Sequence, residues 1–167
     1  DRALTAMRLL GLQGGLVDVG GDVSCFGTPL DADNWQIGIQ SPWTDQEHII
    51  VLSPDDENRN FAVCTSGNYR RYFSIKGRQY SHILDPRTGR PADAWSSVTV
   101  IAADAMTADA WATALSVLGP HQGLSILRDK PEVEVLFVSG PLALPDVRSS
   151  AGFQRFIRVS DARLKLD

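Results

Sequence analysis

The chain has 167 residues, the length of one domain with enough interior to fold without disulfide or metal staples. With 43% hydrophobic and 22% charged residues it has the composition of an ordinary globular protein. Its net charge of −4 argues against a nucleic-acid partner, which needs a basic face.

The opening stretch DRALTAMRLLGL predicts a helix already under way, with Ala3, Met7 and Leu10 at helical spacing and Ala6 on the same face. No methionine and no cap precede it, which leads to the expectation of a truncated or processed chain. A tight turn is expected at Gly14–Gly15. LVDVGGDVSCFG then reads as one strand broken or kinked at Gly20–Gly21. Strands are expected at 35–40, 48–53 and 61–67. RRYFSIKGRQYSHIL predicts a hairpin with Gly77 near its turn, and SSVTVIAA predicts a further strand. The only basic cluster, Arg70, Arg71, Lys76 and Arg78, reads as the solvated face of that hairpin. Cys25 and Cys64 sit in apolar strand-like runs and read as buried free thiols.

The period then changes. AMTADAWATALSVLG predicts a helix stopped at Gly119–Pro120, and HQGLSILRD predicts a second. The uncharged run 110–127 is interrupted by Gly-Pro and His-Gln-Gly, so it is not a membrane span. EVEVLFVS and FQRFIRVS close the chain as strands. Many hairpin-like strands with few helices predict an α+β fold with a mainly antiparallel sheet, in a single domain over 1–167.

Four stretches could carry chemistry. In DVGGD, Gly20 and Gly21 would let backbone approach a ligand closely and Asp22 could accept hydrogen bonds from a base or sugar; a bulge or turn with a solvated Asp is the more ordinary reading of these residues alone. In TSGNY, Thr65, Ser66 and Gly67 could present backbone N–H groups to phosphate, or form a plain turn. HILDPRTGRP has the residues of a turn from Asp85 onward, which leaves His82 less well explained. In a regular strand His82 and Asp85 would point apart, so spacing does not secure a His–Asp pair. In DAWAT, Asp109 and Thr113 share a helical face. A carboxylate and a hydroxyl suit Mg²⁺, yet an Asp in an early helical turn and a Thr bonded to its own backbone are also ordinary.

Taken together and in order, VDVGGDV, WQIGIQSP, CTSGNYRRYF, YSHILDPRTGRP and MTADAWATALSVLG resemble the ApbE family, the FAD:protein FMN transferases. The likeness covers roughly residues 1–120. The resemblance implies a T-fold-like α+β domain with mainly antiparallel sheet and a few packed helices, of which this chain would be the C-terminal portion. It implies an enzyme that takes FAD as substrate, transfers FMN to a threonine or serine hydroxyl of an acceptor protein and releases AMP with Mg²⁺. Acceptors of such systems include subunits of redox-driven ion pumps. Asp109 and Thr113 match the metal motif. Ile83 takes the position that contacts FAD, with His82 beside it. Gly20, Gly21 and Asp22 would line the flavin pocket, with Thr65, Ser66 and Gly67 as further wall. His82 is the candidate base or orienting group, and Asp85 a weaker one. Localisation implied by the resemblance is the bacterial periplasm, often as a lipoprotein anchored to the inner membrane.

The chain departs from the family's pattern in two respects. The segment that would precede Asp1, which supplies a backbone oxygen to the metal and a lysine to FAD, is not in the sequence. Position 112, where a second acid often follows, is alanine. A missing N-terminal half could be a separate chain, or its absence could leave faces that favour a homodimer. A non-catalytic flavin-binding homologue and a metal-dependent FAD hydrolase giving FMN and AMP are the alternatives to the transferase.

Overall fold

The strands that read as continuous apolar runs are strands covered on both faces, and this sets the architecture. The computed structural model describes residues 1–44, 47–54, 60–67 and 72–166. Helix α1 (Arg2–Leu9) is followed by β1 (Gly15–Val19), β2 (Asp22–Phe26), β3 (Ile37–Gln40), β4 (His48–Leu52) and β5 (Asn60–Gly67). Next come β6 (Tyr72–Ile75), β7 (Arg78–Ser81), β8 (Leu84–Asp85), β9 (Arg90–Pro91) and β10 (Ser97–Ala102). Helix α2 (Ala105–Leu127), β11 (Glu134–Ser139), β12 (Asp146–Ser149), a 3₁₀ turn (Phe153–Phe156) and β13 (Ile157–Ser160) complete the order. Arg70 and Arg71 of the basic cluster, and Asn68 and Tyr69 of TSGNY, lie outside the described residues.

Six strands form one sheet in the order β1-β2-β5-β10-β11-β12, every neighbour antiparallel. A second sheet, β13-β4-β3, lies against one face. The expected α+β arrangement with mainly antiparallel sheet is what the structure has. Side-chain alternation divides the interior in two. Phe61 and Val63 of β5, Ile101 of β10 and Leu136 and Val138 of β11 pack toward the smaller sheet with Ile39, Ile50 and Phe156. The intervening Cys64, Val98, Val100, Val135 and Phe137 pack toward α2, against Ala108, Ala112 and Leu115.

Several elements differ from the expectations. Gly20–Gly21 does not kink one strand. Both glycines have positive φ, +70° and +101°, and Val19 pairs with Asp22, so β1 and β2 are a two-residue hairpin of the primed type that twists with its strands. The first turn falls at Leu10–Gly11 and not at Gly14–Gly15. On α1 the buried side chain is Leu4 with Met7 half-buried, while Leu10 is 82% exposed, so the expected Ala3–Met7–Leu10 face is not the one that packs. The Asp1 carbonyl accepts from Thr5 N at 3.0 Å in the first turn of α1, and its side chain makes no cap hydrogen bond to that helix. The two expected helices abut at Gly119, whose φ of 68° and ψ of 175° break the helix before Pro120 restarts it. Phe153–Phe156 is a 3₁₀ turn rather than strand, because both phenylalanines must reach one core and strand alternation would separate them from it. Among the described residues no helix is long and apolar enough to cross a membrane.

Candidate functional site

The β1–β2 hairpin places its tip at the end of the large sheet. Gly21 N donates to Asp18 Oδ1 at 2.8 Å, closing the turn, and a side chain at either glycine would oppose the backbone conformation. Gly20 and Gly21 line a cleft of about 570 Å³ between the two sheets. Val23, Val63 and Thr65 form its floor on the large sheet. Ile37, Gly38 and Ile39 of β3 form the facing wall, with Gln40 and His48 adding polar groups. The cleft thus sets the apolar Val23, Ile37, Ile39 and Val63 beside the polar Asp18, Gln40, His48 and Thr65. Thr65 also shares a hydroxyl–hydroxyl hydrogen bond of 2.9 Å with Thr99, its register partner.

The next residue of β5 faces the other way. Ser66 Oγ lies 3.4 Å from Thr113 Oγ1 on α2. Asp109, one helical turn earlier, is exposed like Thr113. Asp22 stands on this α2-facing side rather than in the cleft, because it begins β2 on the opposite parity to Val23. Its carboxylate lies beside the Cys64 thiol, whose single S–H donates to Ala105 O at 3.5 Å. Burial, then Asp22, Asp109 and Asp104, push the Cys64 thiol well above the usual range. Burial alone pushes Cys25 up to about 12. Both cysteines are buried and free, as their apolar context indicates.

Asp109, Thr113 and Ser66 are therefore oxygen donors on one side of β5, with Asp22 nearby. Their chemistry suits a hard cation that keeps several waters and binds through one or two carboxylates plus phosphate. Ala112 is fully buried against the sheet, so the helix adds no second acid. Among the described residues no group of three or more His, Cys, Asp or Glu is arranged to hold a metal. The set fits Mg²⁺ in kind, with ligand oxygens and water needed to complete it.

The third region follows β7. His82 is exposed on a bend, and Ile83 is 9% exposed and held on both sides. Ile83 N donates to Ser81 Oγ at 3.1 Å, and Ala92 N donates to Ile83 O at 2.8 Å. Asp85 accepts from Arg87 N and Nε, both at 2.9 Å, and Gly89 N donates to Asp85 O at 2.8 Å. These hydrogen bonds to Arg87 hold the Asp85 carboxyl below its ordinary range. A carboxylate so committed is a weak base, and its evident work is closing the turn. Gly67 ends β5 opposite Ser97, whose hydroxyl is the one buried side-chain polar atom among the described residues without a hydrogen-bond partner.

The expected residues thus fall into three groups: Gly20, Gly21 and Thr65 in the cleft; Asp22, Ser66, Asp109 and Thr113 on the α2 side; His82, Ile83 and Asp85 beyond β7. Sequence reasoning missed His48, Gln40 and the β3 wall, for which the alternation of WQIGIQ was the available signal.

The ApbE family model matches residues 1–137. A protein of Treponema pallidum named FAD:protein FMN transferase is 36% identical over 179 aligned positions, covering 100% of this chain and 47% of that protein. One of the same name from Escherichia coli K12 is 39% identical over 129 residues, covering 77% of this chain and 36% of its own length. Among solved structures, an ApbE protein of Thermotoga maritima superposes with a TM-score of 0.75 at 34% identity, over 95% of this chain and 51% of that one. The flavin transferase ApbE of Vibrio cholerae gives 0.74 at 30% identity, over 93% and 48%. The chain spans less than half the length of these curated relatives.

Proposed function

Because this chain belongs to the ApbE family, we propose that it carries part of a Mg²⁺-dependent transferase that moves FMN from FAD to a threonine or serine hydroxyl of an acceptor protein, releasing AMP. The observation that carries this reading is the divergence of consecutive residues on β5. Thr65 faces the cleft and Ser66 faces Thr113. The cleft and the oxygen donors on α2 lie on opposite faces of β5, so a ligand engaging both would reach around the end of the sheet, its ring on one face and its phosphates on the other.

Asp109 and Thr113 would hold Mg²⁺, and the bound ion would supply charge neutralisation at the pyrophosphate. The cleft's task is to fix the flavin half while the AMP half remains free to leave. The acceptor hydroxyl oxygen forms a bond to the FMN phosphorus as the phosphorus–oxygen bond to AMP breaks. The hydroxyl proton passes to His82, and AMP departs with the bridging oxygen. Asp85 shapes the turn beyond His82 instead of taking the proton. The acceptor is a protein with an accessible threonine or serine, such as a subunit of a redox-driven ion pump.

Alanine at position 112, where the family's pattern often has a second acid, favours a second reading, a homologue that binds flavin without transferring it. Incubating the protein with FAD, Mg²⁺ and a threonine-bearing acceptor separates the readings. AMP release matched by phosphoester-linked flavin on the acceptor supports the transferase. AMP and free FMN without an acceptor indicate a hydrolase, and FAD recovered intact indicates a binding module.

A further inference from the structure

The first turn of α2 is held from a distant point in the sequence. Asp1 Oδ1 accepts from Ala105 N at 2.8 Å, and Asp1 Oδ2 accepts from Met106 N at 3.0 Å. The third amide of the turn, Thr107 N, donates to Asp104 Oδ1 at 2.9 Å, a bond local to the helix. Two carboxylates thus satisfy the three leading N–H groups, which have no partner inside a helix. Only the Asp1 pair reaches another element. Asp1 at the same time starts α1, its carbonyl accepting from Thr5 N at 3.0 Å and Thr5 Oγ1 at 3.2 Å.

We propose that Asp1 is a positioning residue for the Asp109–Thr113 metal centre: its bidentate clamp sets the position of α2 along its own axis. The inference rests on the metal reading given above. Its physical basis is the small-residue contact made by the first turns of α2. Around Asp109, α2 meets the sheet through Ala105, Ala108 and Ala112, the last two fully buried, while the larger Trp111 and Leu115 pack against the same core. Alanines allow close approach but provide little interdigitation, so at the first turns the hydrogen bonds to Asp1 add to the register that Leu115 sets further along. The Cys64 thiol to Ala105 O at 3.5 Å is a weak second tie. Asp109 lies four residues beyond Ala105, about 6 Å along the axis, so a slide of the first turn passes undiminished to the metal ligands. Metal and catalytic constellations tolerate displacements of only about 0.5 Å. The Thr113–Ser66 contact of 3.4 Å is already at the limit of a hydrogen bond and would open with any slide away.

The test is Mn²⁺ affinity, read by electron paramagnetic resonance, together with thermal stability, in the wild type and in Asp1→Ala, Asp1→Asn, Asp109→Ala and Val133→Ala. Val133 is buried beyond the end of α2, so its truncation lowers stability without touching the clamp. Asp1→Ala is expected to weaken Mn²⁺ binding at least tenfold, and Asp1→Asn, which keeps one acceptor oxygen, to fall between it and the wild type. Val133→Ala is expected to stay within twofold of the wild type. Asp1→Ala binding within twofold of the wild type, while Asp109→Ala loses binding, would overturn the clamp and leave the metal reading standing. Equal losses in Asp1→Ala and Asp1→Asn would show a field effect and overturn it, as would an equal loss in Val133→Ala. Absence of Mn²⁺ binding in the wild type would overturn both the clamp and the metal reading.

Discussion

Replacing Gly38 with alanine tests whether the inter-sheet cleft is the ligand site. A Cβ built on Gly38 would stand 2.4 Å from His48 Cδ2 and 2.7 Å from Nε2. Ordinary contact begins near 3.4 Å, so the imidazole must retreat by about 1 Å. His48 is exposed, so the ring can rotate, at a cost of about 0.5–1.5 kcal/mol for leaving its preferred rotamer. Gly38 has no positive φ, so alanine returns about 0.4–1 kcal/mol by restricting the unfolded chain. The two terms nearly cancel, and the melting temperature should move by no more than about 4 °C. His48 and Gly38 both line the cleft, so the same change reshapes its wall and should weaken FAD binding at least tenfold by calorimetry. Unaltered FAD affinity in a protein whose His48 ring has moved would refute the assignment of the cleft. A fall of about 10 °C would refute the argument that the ring yields freely.

Ser97→Ala removes a buried hydroxyl that has no partner, so stability in urea should hold or rise by about 1 kcal/mol; a loss of similar size would mean the hydroxyl is satisfied in solution. Neither Cys25 nor Cys64 should react with a thiol reagent at pH 8 in the native protein, and both should react after denaturation. Since the folded Cys25 pKa is raised, its contribution to stability is full below the unfolded value near 9 and is lost as pH rises toward about 12. Cys25→Ala should accordingly flatten the alkaline limb of a pH–stability curve. His82→Ala should depress flavin transfer by about 10²-fold or more with FAD affinity little changed. Asp85→Asn should lower stability slightly and leave transfer near the wild-type rate; equal loss in both would restore a catalytic role to Asp85.

The fold was legible where periodicity is strong. β5, β10 and β11 announce themselves as apolar runs because both faces are covered, and α2 because Gly119–Pro120 marks its break. What escaped is weakly patterned. DVRS, charged and half exposed, is an edge strand whose pairing with β11 no local signal reveals. Gly20–Gly21 reads as a bulge until the strands on either side are seen to pair. That pairing decides Asp22, because a hairpin fixes which residues face α2 whereas a kinked strand leaves parity open. That Asp109 and Thr113 share one face of α2 was legible from helical spacing, whereas their metal role was implied only by the family resemblance. The clamp from Asp1 was not legible, because it joins residues more than a hundred positions apart.

The measurement closest to the central claim is calorimetric titration of FAD into the protein with Mg²⁺, with a chelator, and with Asp109→Ala in Mg²⁺. Binding that weakens at least tenfold both on chelation and in the variant is the predicted result. FAD binding indifferent to Mg²⁺ and to Asp109 would contradict it.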